Sequence, residues 1–291
     1  MKNIIIVTGG AGFIGSNLIR KLIRETKYKI ISIDNYIAGS KKNHLFHKRV
    51  NYIYGSTINI SKLLNKYKRN IKLIFHFGEF SRIVKSFEKR DQILKSNIEG
   101  SIKVVEFCLQ NNIRIIYSCT SAGFGRNFKD INLSPYAYYK SFILNLILNY
   151  RNWYGLNYQI LYFFNVYGGT EIIKDEMKAV IGIFEDQKKT NKSLTVVKPG
   201  TQSRIFTHID DLVTECIKIM KLKKNSHYII KAKKSYTILE IAKFFNHKYR
   251  FVSIRKGERF ISTIVKKIRN NKINIINCNT DIKKYLLKKY E

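Results

Sequence analysis

The chain has 291 residues, ample for a full hydrophobic core and at the upper end for one domain. Its 45% hydrophobic and 13% aromatic content excludes a disordered chain, and its apolar runs, such as Phe142 to Leu148, are too short and interrupted to span a bilayer. The 54 Lys and Arg against 20 Asp and Glu give a formal charge of +34, but they are spread along the whole length, without a basic stripe, arm or tail. That spread, with abundant Ile, Asn, Tyr and Phe and only 2 Pro, fits an AT-rich coding sequence better than a dedicated nucleic-acid surface. The charge still predicts attraction of anionic substrates and salt-sensitive nonspecific binding.

The first element is a β-branched run, Ile4 to Val7, behind Lys2. It stops at a glycine-rich turn with no small-residue cleavage site, so it reads as a buried strand rather than a signal peptide, and a cytoplasmic protein is expected. An amphipathic helix follows to about Arg24. Further strands are expected at Lys29 to Ile33, Val50 to Tyr54, Ile71 to Phe77, Ile113 to Ser118 and Tyr158 to Phe164. A long helix from about Ser86 to Asn111 and another from near Pro135 lie between them. Strands of unbroken apolar character are covered on both faces, which predicts an α/β fold with a Rossmann-type doubly wound parallel sheet. After Asn165 the rhythm becomes irregular, with helical stretches at Asp175 to Lys189, Asp210 to Lys221 and Thr237 to Asn246. The division expected is a dinucleotide-binding domain over 1–165, rejoined by about 205–230, and a smaller substrate-binding lobe over most of 166–291. The four cysteines have no paired spacing, so reduced thiols are expected, and no metal site. His44 and His47 read as part of a solvated loop.

Two motifs carry chemistry. Strand one runs into Thr8-Gly9-Gly10-Ala11-Gly12-Phe13-Ile14-Gly15, which opens a helix. Gly10-x-Gly12-x-x-Gly15 satisfies the dinucleotide fingerprint, in which a diphosphate rests at a helix N-terminus among free N–H groups. Asp34, at the end of strand two, is placed to accept from the adenosine ribose hydroxyls and would repel a 2′-phosphate, which favours NAD over NADP. The second motif is Tyr136-x-x-x-Lys140, whose members share one helix face. A phenol has a pKa of about 10, and a neighbouring ammonium stabilises its phenolate toward service as a base. Thr120, at the end of the fifth strand, carries a hydroxyl that can orient a reacting sugar hydroxyl beside Tyr136.

Together these residues resemble the extended short-chain dehydrogenases/reductases, the NAD-dependent epimerase/dehydratase family, and within it the UDP-glucose 4-epimerase-like members. The resemblance runs through nearly the whole chain. It implies NAD as cofactor, held by Gly9, Gly12, Phe13, Ile14, Gly15, Asp34, Asn35, Phe77, Asn97, Tyr136 and Lys140, with Ser56 and Thr57 toward the adenine, where the family often has an aspartate. It implies Thr120, Tyr136 and Lys140 as the catalytic set. It also implies Asn165, Arg204, Arg255 and Glu258 as contacts to a nucleotide-sugar substrate, and a homodimer formed through the helices from about Ser86 and Pro135. Thr120-Ser121-Ala122 has no carboxylate where sugar dehydratases carry two and related decarboxylases keep one. The implied reaction is therefore epimerisation of a UDP-hexose at C4 through a transient 4-keto sugar. A reductase, a dehydratase or an epimerase at another carbon stays open, as do a non-catalytic NAD-binding protein and a nucleic-acid-binding one.

Overall fold

A computed structural model describes residues 2–121, 132–169, 177–258, 267–268 and 271–290. The first half alternates β1 (Ile4–Thr8), α1 (Phe13–Glu25), β2 (Lys29–Asp34), β3 (Val50–Tyr54), α2 (Ile60–Leu64), β4 (Ile71–His76), α3 (Ile83–Glu88), α4 (Arg90–Leu94), α5 (Gly100–Gln110), β5 (Arg114–Thr120), α6 (Pro135–Tyr154) and β6 (Tyr158–Phe163). The second half contains β7 (Val166–Tyr167), α7 (Val180–Lys189), β8 (Leu194–Val197), β9 (Ser203–Ile205), β10 (Thr207–His208), α8 (Ile209–Lys221), β11 (Ser226–Ala232), β12 (Ser235–Thr237), α9 (Ile238–Phe244), β13 (Tyr249–Val252), β14 (Lys267–Ile268), β15 (Asn271–Cys278) and α10 (Ile282–Tyr290).

The large sheet has the order β14-β15-β11-β6-β5-β4-β1-β2-β3. All its pairings are parallel except the edge pair β14–β15. The run β3-β2-β1-β4-β5-β6 is doubly wound, with its reversal of direction between β1 and β4, where such sheets open a crevice at their carboxyl ends. Strand β1 shows why the sheet is apolar on both sides. Ile4 and Ile6 face the core beneath α5 and α6, while Ile5 and Val7 face the core beneath α1 and α8. Each such side chain, fully buried, stabilises the fold by roughly 1.5–3 kcal/mol.

Helix α6 is delimited by chemistry already visible in the sequence. Ser134 caps it by accepting from the Ala137 N–H at 3.2 Å, Pro135 occupies its first turn, and Gly155 ends it at φ 77°. The single long helix expected from Ser86 to Asn111 is instead interrupted. Lys89 leaves helical geometry (φ −101°, ψ 49°), and residues Lys95–Glu99 form a π turn before α5. That turn buries Asn97, whose side chain closes two hydrogen bonds with the Phe80 backbone at 2.8 and 2.9 Å. The irregularity thus serves the segment after β4, a tertiary demand that hydrophobic periodicity does not register.

The irregular half returns to the sheet through both β11 and β15, and α8 packs on α1. A separate core forms around Phe184, Val196, Phe206, Ile241 and Phe245. Among the described residues no helix is long and apolar enough to cross a membrane. All four cysteines are buried and free. His44 is less solvated than the sequence suggests: its ring stacks on Tyr52 at 3.7 Å and its Nε2 lies 3.2 Å from the Tyr36 hydroxyl.

Candidate active site

A cavity of about 330 Å³ opens at the carboxyl ends of β1, β2, β4, β5 and β6. Its floor at one end is the turn between β1 and α1. Gly9 has φ +72°, and a Cβ there would sit 2.8 Å from the Phe77 carbonyl oxygen and the Gly78 Cα. A Cβ on Gly15 would lie 2.2 Å from the Gly9 carbonyl oxygen, so the helix can sit this close to the turn only as glycine. Helix α1 starts at Gly12 with no side-chain cap and no acid in its first turn. Its free N–H groups border the cavity, which suits a diphosphate.

Asp34 ends β2 at the same rim. One carboxylate oxygen accepts from the Ala11 N–H at 2.9 Å and the other from the Tyr36 N–H at 2.8 Å. Burial pushes its pKa above the usual carboxylate value, and those two N–H groups, with nearby His44, pull the other way. Tyr36, itself at φ 55°, stacks parallel to Tyr54 with 5.8 Å between centroids, forming an aromatic shelf beside Asp34.

At the other end the cavity reaches Thr120, Tyr136 and Lys140. Thr120 is the last residue of β5, while Tyr136 and Lys140 come from the first two turns of α6, which bring them to the same wall. Lys140 is buried; its Nζ donates to the Ser118 carbonyl and lies 4.6 Å from the Tyr117 ring centroid. Its closest charged partner is Glu79, which sequence reading passed over. Glu79 also accepts from the Ser101 hydroxyl and, at 3.1 Å, from the Tyr117 hydroxyl. Ser101 is 2.8 Å from His76 Nε2, and His76 Nδ1 is 2.8 Å from the Thr8 hydroxyl, which accepts from the Phe77 and Gly78 N–H groups. One polar network therefore ties the glycine turn to Lys140. Its available signal was an acid directly after Phe75-His76-Phe77-Gly78.

The cavity walls include Gly9, Gly12, Phe13, Ile14, Gly15, Asp34, Asn35, Thr57, Phe77, Thr120, Tyr136, Lys140 and Asn165 among the residues expected from sequence. Others stand apart. The Ser56 hydroxyl accepts from the Ile58 N–H in a local turn, and Asn97 lies beneath the cavity, clamping Phe80. Asn165 donates from its amide to the Ile205 carbonyl at 2.9 Å. Arg204 and Glu258 meet each other, 2.7 Å apart, with Arg204 half-buried. Burial lowers the Arg204 pKa and the Glu258 carboxylate opposes that shift. Arg255 is exposed.

The sequence profile of the NAD-dependent epimerase/dehydratase family matches residues 5–230. This chain belongs to that family. Members share the cofactor NAD by the family's own description, and the glycine turn, the uncapped helix start and Asp34 fit a dinucleotide. The chain is 28% identical to an ADP-L-glycero-D-manno-heptose-6-epimerase of Brachyspira hyodysenteriae, over 97% of this chain and 96% of the relative. It is 28% identical to UDP-glucuronic acid decarboxylase 3 of Arabidopsis thaliana, over 82% and 72%. A solved UDP-N-acetylglucosamine 4-epimerase from Methanobrevibacter ruminantium, in complex with UDP-N-acetylmuramic acid, superposes with a TM-score of 0.83 at 25% identity, covering 99% of this chain and 97% of that one. The family match ends before Arg255 and Glu258, so those two positions rest on local pattern alone.

Proposed function

We propose that this family member is an NAD-dependent epimerase of a nucleotide-activated sugar, most specifically a UDP-hexose epimerised at C4. The observation that carries the reading is the convergence of Thr120, Tyr136 and Lys140 on one wall of the cavity whose opposite end is the glycine turn. Bound NAD would supply a hydride acceptor able to return what it takes. The chain supplies the rest. The Tyr136 phenolate, stabilised by Lys140 from the same helix face, takes the proton from the sugar O4 and gives it back, and the Thr120 hydroxyl orients O4. The residues held to grip NAD are those of the glycine turn, Asp34 and Asn35, with Thr57 and Phe77 along its length, while Ser56 acts through its local turn and Asn97 from beneath by holding Phe80.

Asn165, Arg204, Arg255 and Glu258 serve as the diphosphate and nucleoside contacts, which places substrate recognition largely in residues 166–291 and dinucleotide recognition in 1–165 with the returning 205–230 segment. A grip confined to the nucleotide leaves the sugar free to present either face. The absence of a carboxylate in Thr120-Ser121-Ala122 favours epimerisation over elimination. Glu79 does not reverse this, because both its oxygens are engaged by Lys140, Tyr117 and Ser101. A homodimer is the assembly proposed, supported by exposed Tyr138, Phe142, Trp153 and Tyr154 on α6.

The test is incubation of purified protein with UDP-galactose, without added NAD, and chromatography for UDP-glucose, with Tyr136→Phe in parallel. Conversion that disappears in the variant supports the reading. No conversion, with NAD still released on denaturation, moves it to another sugar or carbon.

A further inference from the structure

The Lys140 ammonium is not the lone positive charge that the Tyr136-x-x-x-Lys140 pattern suggests. Glu79 sits against it, and the two side chains are 1% and 4% exposed. The carboxylate does not depend on Lys140 for its place: its backbone N–H donates to the Phe77 carbonyl at 3.0 Å, and Ser101 and Tyr117 hold its oxygens from α5 and β5. It is therefore a fixed negative charge within the catalytic wall, against Lys140.

We propose that Glu79 is a positioning residue for the reaction: it holds the Lys140 ammonium back against the Ser118 carbonyl and cancels part of the positive charge that would otherwise act on the Tyr136 hydroxyl. The inference rests on the reading of Tyr136 as the base. Tyr136 interacts electrostatically with Lys140 on its own helix and with Tyr117 on β5. The further groups that bear on it through Lys140 or share its cavity are His76 and Glu79 at and beyond the end of β4, Arg82 ahead of α3 and Cys119 on β5. His76 is neutral near pH 7, its pKa lowered to about 4 by burial. Burial raises the Cys119 thiol to about 12, and burial with Glu79 raises the Tyr117 phenol well above its usual value, so neither offers charge. Arg82 lines the same cavity, with its guanidinium directed to the Met177 and Ser81 carbonyls. Burial alone would lower the Lys140 pKa, but Glu79, Tyr136 and Cys119 outweigh it and leave the ammonium charged. The positive charge that Lys140 presents to Tyr136 is thus that of a cation held directly against one anion. Should the anion go, Lys140 still has the Ser118 carbonyl, the Ser118 hydroxyl and the Tyr117 ring as partners.

The experiment is a difference titration of one tyrosine, which needs no sugar. Absorbance in the tyrosinate band is followed against pH for wild type and Tyr136→Phe, both saturated with NAD, and subtraction isolates Tyr136. The same pair is then measured in a Glu79→Gln background. The proposal expects the Tyr136 midpoint to fall by about one pH unit when the carboxylate is neutralised. An unchanged midpoint overturns it. A midpoint that rises also overturns it, since the carboxylate would then serve to keep Lys140 protonated. If Glu79→Gln does not fold, Glu79→Asp, which keeps the charge but shortens the reach, should lower the midpoint by a smaller amount, and no movement there is equally fatal. Failure of the UDP-galactose assay leaves this titration readable, so the two proposals fall separately.

Discussion

The glycine-turn end of the cavity and the proposed substrate contacts are built by different means. The cofactor end is backbone: a turn forced to glycine by its neighbours, a helix start without a cap, and one acid at a strand terminus, all within residues 8–34. The proposed substrate contacts are side chains: Asn165 from the turn after β6, on the cavity wall, with Arg204 from β9 and Glu258 from beyond β13 outside its lining, segments far apart in sequence. A backbone site is rigid and intolerant of added atoms. A side-chain site is adjustable, and here two of its candidate contacts, Arg204 and Glu258, are already engaged with each other. The lesson is that one part of a site can be fixed by local backbone geometry while another is left to side chains that can rearrange.

That contrast can be broken most severely at Gly15. A valine there drives a side chain into the Gly9 carbonyl, 2.2 Å from the Cβ position, and α1 has no means to yield without moving off the sheet. Chemical denaturation should show a loss of about 3 kcal/mol or more, together with loss of retained NAD. A variant of wild-type stability would refute the close-approach account.

Next in size is a pH effect on the sheet that carries the cofactor end. His76 and His227 are both buried and held near a pKa of about 4 by burial. Each is neutral in the folded chain at pH 5–6, whereas the unfolded chain, with its ordinary value near 6.5, binds a proton there. The unfolded state therefore binds more protons between about pH 6.5 and 4, and stability must fall as pH falls through that window, by up to about 3 kcal/mol per histidine. Thermal unfolding midpoints across the range should show the decline. His227→Gln should flatten it even where the variant is less stable, because the Tyr162 hydroxyl contact at 2.9 Å is altered but the titrating ring is gone.

Asp34→Asn tests the cofactor end more gently. It leaves an acceptor for the Ala11 or Tyr36 N–H but removes the charged acceptor proposed for the ribose. NAD affinity should drop by about 10- to 100-fold, as expected for a hydrogen bond to a charged group, with NADP discrimination weakened. A smaller effect belongs to Arg204→Gln: KM for the nucleotide sugar should rise about 10-fold with kcat little changed, because the proposed contact is to the nucleotide before and during reaction alike. Arg255→Gln, at an exposed position, should do less.

This pattern also explains what the sequence could reveal. The glycine turn, Asp34 and the α6 boundaries are encoded by residues adjacent in the chain, so spacing alone exposes them. The break at Lys89 and the π turn at Lys95–Glu99 answer to Asn97 reaching Phe80, a contact across 17 positions that periodicity cannot carry. Glu79 and the Arg204–Glu258 pair escape for the same reason: an ion pair is defined by its partner, and the partners lie 61 and 54 residues away. The return of β15 to the sheet is hidden likewise, since its strand follows a stretch without the alternating pattern of the first half.

The central claim is that this chain removes hydrogen from C4 of a nucleotide sugar and returns it within the same site. It is tested most directly with UDP-galactose carrying deuterium at C4, converted by the protein without added NAD and read by mass spectrometry and NMR of the product. The account predicts UDP-glucose with the deuterium retained at C4, and no label entering C4 when unlabelled substrate is turned over in D₂O. Loss of the label to solvent, or its acquisition from solvent, would contradict it.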